Sequence, residues 1–248
     1  MTILIDKSIK EKIVLALDVD TMEEAKKLIN ELKDYVGVFK VGLQLYTKCG
    51  NDIIKFMNQE NVKYFLDVKL YDIPNTVKEA SKNIIENGAS FFNVHALGGY
   101  KMMNEAINAA NEAYFKKTNQ NEIKPFVLGV TILTSINDNI LHNEFNIENQ
   151  AENMVITLAK LSKEAGLTGV VASALEVKRI KEACGKEFKV LCPGIRPSFS
   201  NLDDQKRIST PKEAIKNGAD YIVLGRAITK ENNKIEIMTK IYKEILNA

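Results

Sequence analysis

Apolar positions along the chain alternate between two textures. Short, nearly unbroken apolar runs are separated by longer stretches in which apolar residues recur every three or four positions. The short runs are KIVLALD (12–18), VFKVGL (38–43), KYFLDVKL (63–70), FFNVHAL (91–97), PFVLGVTIL (125–133), GVVAS (169–173), KVLCPGI (189–195) and YIVLGRAI (221–228). Runs of this kind predict strands buried on both faces, as in a parallel sheet covered by helices. The longer stretches predict helices over 21–35, 47–60, 75–87, 100–116, 149–165, 175–184, 210–217 and 234–247. In the first of these, Ala25, Leu28, Ile29 and Leu32 share one face. Thr21 followed three positions later by Glu24 has the pattern of a capping box.

Eight strand-then-helix units in 248 residues average 31 residues each, the span of a βαβ crossover. Such a series closes in one of two ways, as an open doubly wound sheet or as a (β/α)8 barrel. No G-x-G-x-x-G follows the first strand, which weakens the dinucleotide-binding version. No linker rich in Pro, Gly or Ser interrupts the series. The expectation is an α/β chain folded as one (β/α)8 TIM barrel, a single domain over residues 1–248.

Composition narrows the function. Lys and Arg total 34 against 32 Asp and Glu, a net charge of +2, which argues against a nucleic-acid partner. No apolar run reaches the roughly 18 residues of a membrane span. The N-terminal MTILIDKSIKEK lacks the apolar core of a signal peptide, so a cytoplasmic location is expected. Only two His and three Cys occur, with no C-x-x-C and no His-x-x-x-His, so a conventional zinc site lacks ligands. Cys49 and Cys184 fall in helical patterns and read as packing residues. Any ionic chemistry must come from Lys, Asp, Glu or Arg.

In a barrel, function gathers at the C-terminal ends of the strands. The polar residues predicted there are Asp18, Lys40, Asp67, Lys69, Asp72, His95, Thr131, Thr134, Ser135, Arg196 and Arg226. Asp67 and Lys69 are two apart on one strand and are expected to point to the same side. Buried charges must be paired, and Lys40 and Asp72 supply alternating signs nearby. A surface ion-pair ladder is the competing reading of D-x-K-x-x-D taken alone.

A second cluster suits an anion. Barrels often hold phosphate at the loops after strands 7 and 8. Those loops carry Gly194 with Arg196, then Gly225 with Arg226, and arginine offers a fork that matches phosphate. The polar segment 196–207 is long for a strand-to-helix loop, which suggests a lid. His95 reads as a supporting residue, and His142, in the polar stretch 137–149, as solvent-facing.

These residues lie within motifs that resemble the orotidine 5'-monophosphate decarboxylase family along nearly the whole chain. The motifs are L-A-L-D at 15–18, F-K-V-G at 39–42, D-V-K-L-Y-D-I-P-N-T at 67–76, V-H-A at 94–96, L-T-S at 133–135, P-G-I-R-P at 193–197 and V-L-G-R-A-I-T at 223–229. Tyr71 departs from the His of many relatives. The resemblance implies a cofactor-free, metal-free lyase acting on a small-molecule nucleotide in pyrimidine biosynthesis. It implies a homodimer, with neither nucleic acid nor membrane as partner. By the same resemblance Lys69 protonates C6 of the pyrimidine, and Asp67 sits near the substrate carboxylate. Asp72 reaches the partner's site, while Lys40 and Asp18 hold the charge network and the ribose hydroxyls. Thr76 contacts ribose, Thr134 the pyrimidine edge, and Arg196, Gln205, Gly225 and Arg226 the substrate and its phosphate, with Gln205 on the lid. Mg-dependent sugar-phosphate decarboxylases and aldolases on the same barrel are the alternative, as is a non-catalytic nucleotide binder. The I-P-N-T continuation and the P-G-I-R segment with Gln205 argue against the first, and the four intact charges against the second.

Overall fold

The computed structural model describes residues 6–117, 124–200 and 209–247. Eight strands form: β1 (Ile13–Ala16), β2 (Val38–Gly42), β3 (Tyr64–Leu70), β4 (Phe91–His95), β5 (Phe126–Val130), β6 (Gly169–Val171), β7 (Lys189–Cys192) and β8 (Tyr221–Leu224). They close as a barrel in sequence order. The helices are α1 (Lys7–Lys10), α2 (Met22–Leu32), α3 (Leu43–Cys49), α4 (Asn51–Gln59), α5 (Pro74–Glu86), α6 (Gly99–Lys117), α7 (Asp138–Asn143), α8 (Ala151–Glu164), α9 (Val177–Cys184), α10 (Pro211–Lys216), α11 (Arg226–Thr229) and α12 (Lys234–Leu246).

Every strand falls within its predicted run, but most stop short of the predicted C-terminal end. Apolar residues continue to be buried past the strand ends, as at Leu17, Ile132 and Ile195. Two of the overruns are helical instead: Ala96–Gly98 is a 3-10 turn, and Arg226–Thr229 is α11. The helix predicted over 47–60 is two helices broken at Gly50, whose φ of +55° suits glycine far better than any side chain. Helices α1 and α7 carry no strong periodicity and escaped the pattern.

Residue contacts gather into two units, Met1–Asp67 with Cys192–Ala248, and Val68–Leu191. In the first, β1 is hydrogen-bonded in parallel to β2 (Val14 opposite Val38) and to β8 (Ile13 opposite Ile222). Helix α2 buries Ala25, Leu28, Ile29 and Leu32, the predicted face. Its Thr21 hydroxyl accepts from Glu24 N at 3.2 Å, while the Glu24 carboxylate reaches back to Asp20 N, one residue beyond the capping-box partner. A full capping box closes instead at Thr210 and Glu213 on α10. Tyr242 donates its hydroxyl to Tyr35 O at 2.8 Å, tying α12 to the end of α2.

In the second unit, β4 pairs with β5 from Phe91 opposite Phe126 to His95 opposite Val130, and the two phenyl rings stack at 4.7 Å. Strands β5, β6 and β7 continue the parallel ladder. Among the described residues, no helix is long and apolar enough to cross a membrane.

Candidate active site

The charged centre is built on β2. All five residues of this strand are buried, and Lys40 is its one charged member. Opposite neighbours are Ala16 on β1 and Phe65 on β3, so the lysine stem is walled by apolar groups. The ammonium therefore needs anions, and it has two. Lys40 Nζ lies 3.1 Å from Asp18 Oδ1 and 3.4 Å from Asp67 Oδ2. The Lys40 and Asp67 side chains are only 10% and 14% exposed, whereas Asp18 is 50% exposed.

Gly42 makes this arrangement possible. It lies two residues beyond Lys40, directly opposite Asp67 on β3, where the lysine must pass. A Cβ at position 42 would stand 2.8 Å from Lys40 Nζ and 3.2 Å from Asp18 Oδ1, so the ammonium would have to shift from its place between the carboxylates. The glycine was visible in F-K-V-G, but its role emerges only once the path of Lys40 is known.

Lys69 is held differently. Its φ is +50°, the left-handed region, which costs a non-glycine residue roughly 1–2 kcal/mol. The expectation that Asp67 and Lys69 share a side assumed extended backbone at both, and Lys69 departs from it. Its N–H donates to Asn93 Oδ1 on β4 at 2.8 Å. Asn93 is 0% exposed within an otherwise apolar buried run. It is a functional candidate that sequence reasoning missed, although a lone amide in an apolar strand was a readable signal.

His95, at the end of β4, stacks on Tyr71 with ring centroids 5.4 Å apart, and its Nδ1 accepts from Leu97 N at 3.4 Å. Burial holds its pKa below the usual histidine value, and the nearby Lys69 charge adds to that. A neutral imidazole suits an Nδ1 that accepts.

Asp72 is exposed, and its Oδ1 accepts from Ile73 N at 2.7 Å, fixing the turn into α5. Thr76, in the first turn of α5, and Thr134, past β5, are both exposed. Thr131 is not available in the same way: it is buried and donates its hydroxyl to Val171 O at 3.0 Å. His142 is exposed on α7.

After β7, the chain turns at Gly194 and Arg196 N donates to Ser209 O at 3.0 Å. A bridge between Ile195 and Ser209 thus pins the two ends of the long loop together. Gln205 and the rest of 201–208 lie outside the described residues. Gly225 caps the start of α11, and Arg226, its first residue, is exposed. Among the described residues, no group of three or more His, Cys, Asp or Glu is arranged to hold a metal ion.

The chain is 45% identical over 237 residues to the orotidine 5'-phosphate decarboxylase of Geotalea daltonii, covering 96% of this chain and 97% of that protein. Among solved structures, orotidine 5'-phosphate decarboxylase from Lactobacillus acidophilus superposes with a TM-score of 0.82 at 38% identity, covering 95% of this chain and 99% of the other. The enzyme from Pyrococcus horikoshii OT3 gives a TM-score of 0.71 at 27% identity, covering 95% and 100%. The model of the family described as "Orotidine 5'-phosphate decarboxylase / HUMPS family" matches residues 11–241, and the chain belongs to that family.

Proposed function

We infer that this protein is a carboxy-lyase that converts orotidine 5'-monophosphate to uridine 5'-monophosphate and CO2, the closing step of pyrimidine nucleotide synthesis. The observation that carries the reading is the Asp18–Lys40–Asp67 ion chain, which ends two residues before Lys69. Its setting is a family barrel whose relatives bear this activity in their names.

The chemistry follows from the charges. The bond between C6 and the carboxylate breaks with its electron pair left on C6, in an orbital the ring does not delocalise. CO2 departs, the Lys69 ammonium stabilises the carbanion and then transfers a proton to C6, and the neutral amine regains a proton from water. Asp67, beside the departing carboxylate, raises the energy of bound substrate. Lys40 holds Asp67 and Asp18 in place, and Asp18 is open enough to accept from ribose hydroxyls.

Thr76 serves the ribose, Thr134 the pyrimidine edge, and Arg196, Gln205, Gly225 and Arg226 the substrate and its phosphate. Binding energy from the phosphate, far from C6, can be used to order the charged groups. The working unit is a homodimer of single-domain chains in the cytoplasm, with the exposed Asp72 entering the partner's site. No metal or organic cofactor is required.

The test is loss of orotidine 5'-monophosphate absorbance with and without chelator. Turnover is expected to survive EDTA and to be abolished in Lys69→Ala while the fold is retained. Strict dependence on Mg2+ would sink the reading.

A further inference from the structure

Three described non-glycine residues have positive φ: Asn61, Lys69 and Asn146. Two are asparagines, the residue type that tolerates this conformation best after glycine. Lys69 is neither, and of the three it alone lies within a strand. Its backbone therefore needs an external hold. The positive φ interrupts the regular extended geometry at Lys69, and its partly buried N–H must find an acceptor. The Asn93 side chain provides one from the adjacent strand, at 2.8 Å and with no solvent exposure. An apolar residue would suit the surroundings of Asn93 on β4 better. The amide is thus placed for the bond it makes.

We propose that Asn93 is a positioning residue for the reaction: by accepting from Lys69 N it fixes the left-handed backbone that aims the Lys69 ammonium at the reacting carbon. This rests on the reading of Lys69 as the proton donor. Asn93 itself touches no reacting atom, and its effect runs through the lysine backbone. Loss of the bond lets Lys69 relax toward extended backbone and swings its long side chain, and displacements near 1 Å cost on the order of 100-fold in rate.

The experiment compares Asn93→Ala and Asn93→Asp with the unaltered protein, measuring kcat, KM, affinity for uridine 5'-monophosphate and hydrogen exchange of the Lys69 amide. In Asn93→Ala, kcat is expected to fall on the order of 100-fold, with KM and product affinity little changed and the Lys69 amide exchanging faster. Asn93→Asp keeps an acceptor in place and is expected to recover most of kcat. Retention of near-normal kcat in Asn93→Ala, or a loss matched by an equal loss of product affinity, would overturn the proposal. Should Asn93→Ala not fold, Asn93→Ser, too short to reach the amide, replaces it, and equal kcat in the Ser and Asp variants has the same force. If the unaltered protein itself fails to decarboxylate the substrate, the function is wrong. Amide exchange then still reports whether Asn93 holds Lys69.

Discussion

Replacing Lys40 by methionine asks how much of the charge chain is a buried network. The two contacts should differ. Asp18 is half exposed, and ion pairs that water reaches contribute about 0–1 kcal/mol. Asp67 and Lys40 are both shielded, and their atoms are 3.4 Å apart. At an effective dielectric of about 20 that separation corresponds to an attraction of about 5 kcal/mol, and removing one partner of a buried pair costs about 3–5 kcal/mol. Methionine preserves the length and apolar stem of the lysine. Lys40→Met is therefore expected to lower the unfolding free energy by about 3–5 kcal/mol, nearly all through Asp67. In a chain of this size that is a fall in Tm of roughly 6–20 °C. The assay is urea unfolding at pH 7 and fixed protein concentration, in double-mutant cycles with Asp67→Asn and Asp18→Asn. The Lys40–Asp67 coupling should exceed about 2 kcal/mol and the Lys40–Asp18 coupling should stay below about 1 kcal/mol. Equal couplings, or a single variant within about 1 kcal/mol of the unaltered protein, would refute the reasoning.

If Asp72 acts across a dimer, mixing Lys69→Ala and Asp72→Asn protomers should restore one of two sites per heterodimer. No recovered activity after subunit exchange would rule that out. Arg226→Ala should weaken uridine 5'-monophosphate binding by about 2–4 kcal/mol and leave uridine binding unchanged, and calorimetry with both ligands checks this. Because His95 has a lowered pKa in the folded state, the unfolded chain binds its proton first as the pH falls through the ordinary histidine value of about 6.5. Stability should therefore decline from pH 7.5 toward the lower folded-state pKa, and His95→Gln should flatten that decline; identical urea midpoints across the range in both proteins would refute it. Lys69→Gly should be more stable than Lys69→Ala by about 1 kcal/mol, since glycine escapes the left-handed penalty; an extended strand position would give the opposite order.

Strand number, strand placement and the buried face of α2 were legible because they depend on periodicity, which burial enforces directly. The ends of the strands were less so. Leu17 and Ile132 are as apolar as any strand residue, yet they lie beyond the ends of β1 and β5, and composition cannot mark where a strand ends. The charge set around Lys40 was foreseeable from the cost of burying lysine without anions. The conformation of Lys69 was not. It depends on Asn93, 24 residues away, and nothing at positions 67–72 signals a left-handed lysine.

Three local rules are broken across β2, β3 and β4: Lys40 is a charge in a wholly buried strand, Lys69 a lysine with left-handed backbone, and Asn93 a buried amide among apolar neighbours. Stability alone would favour an aliphatic residue at the first and third positions and glycine at the second. Each departure therefore costs energy that the rest of the barrel must offset. The departures are not scattered. Lys40 reaches Asp67, Asn93 reaches Lys69, and Asp67 and Lys69 are separated by a single residue. A protein that only needed to fold would have no reason to direct these costs toward neighbouring residues of β3. One that must hold a carboxylate and an ammonium against a developing carbanion would. That concentration gives a physical argument for chemistry at the end of β3 that does not depend on the names of its relatives.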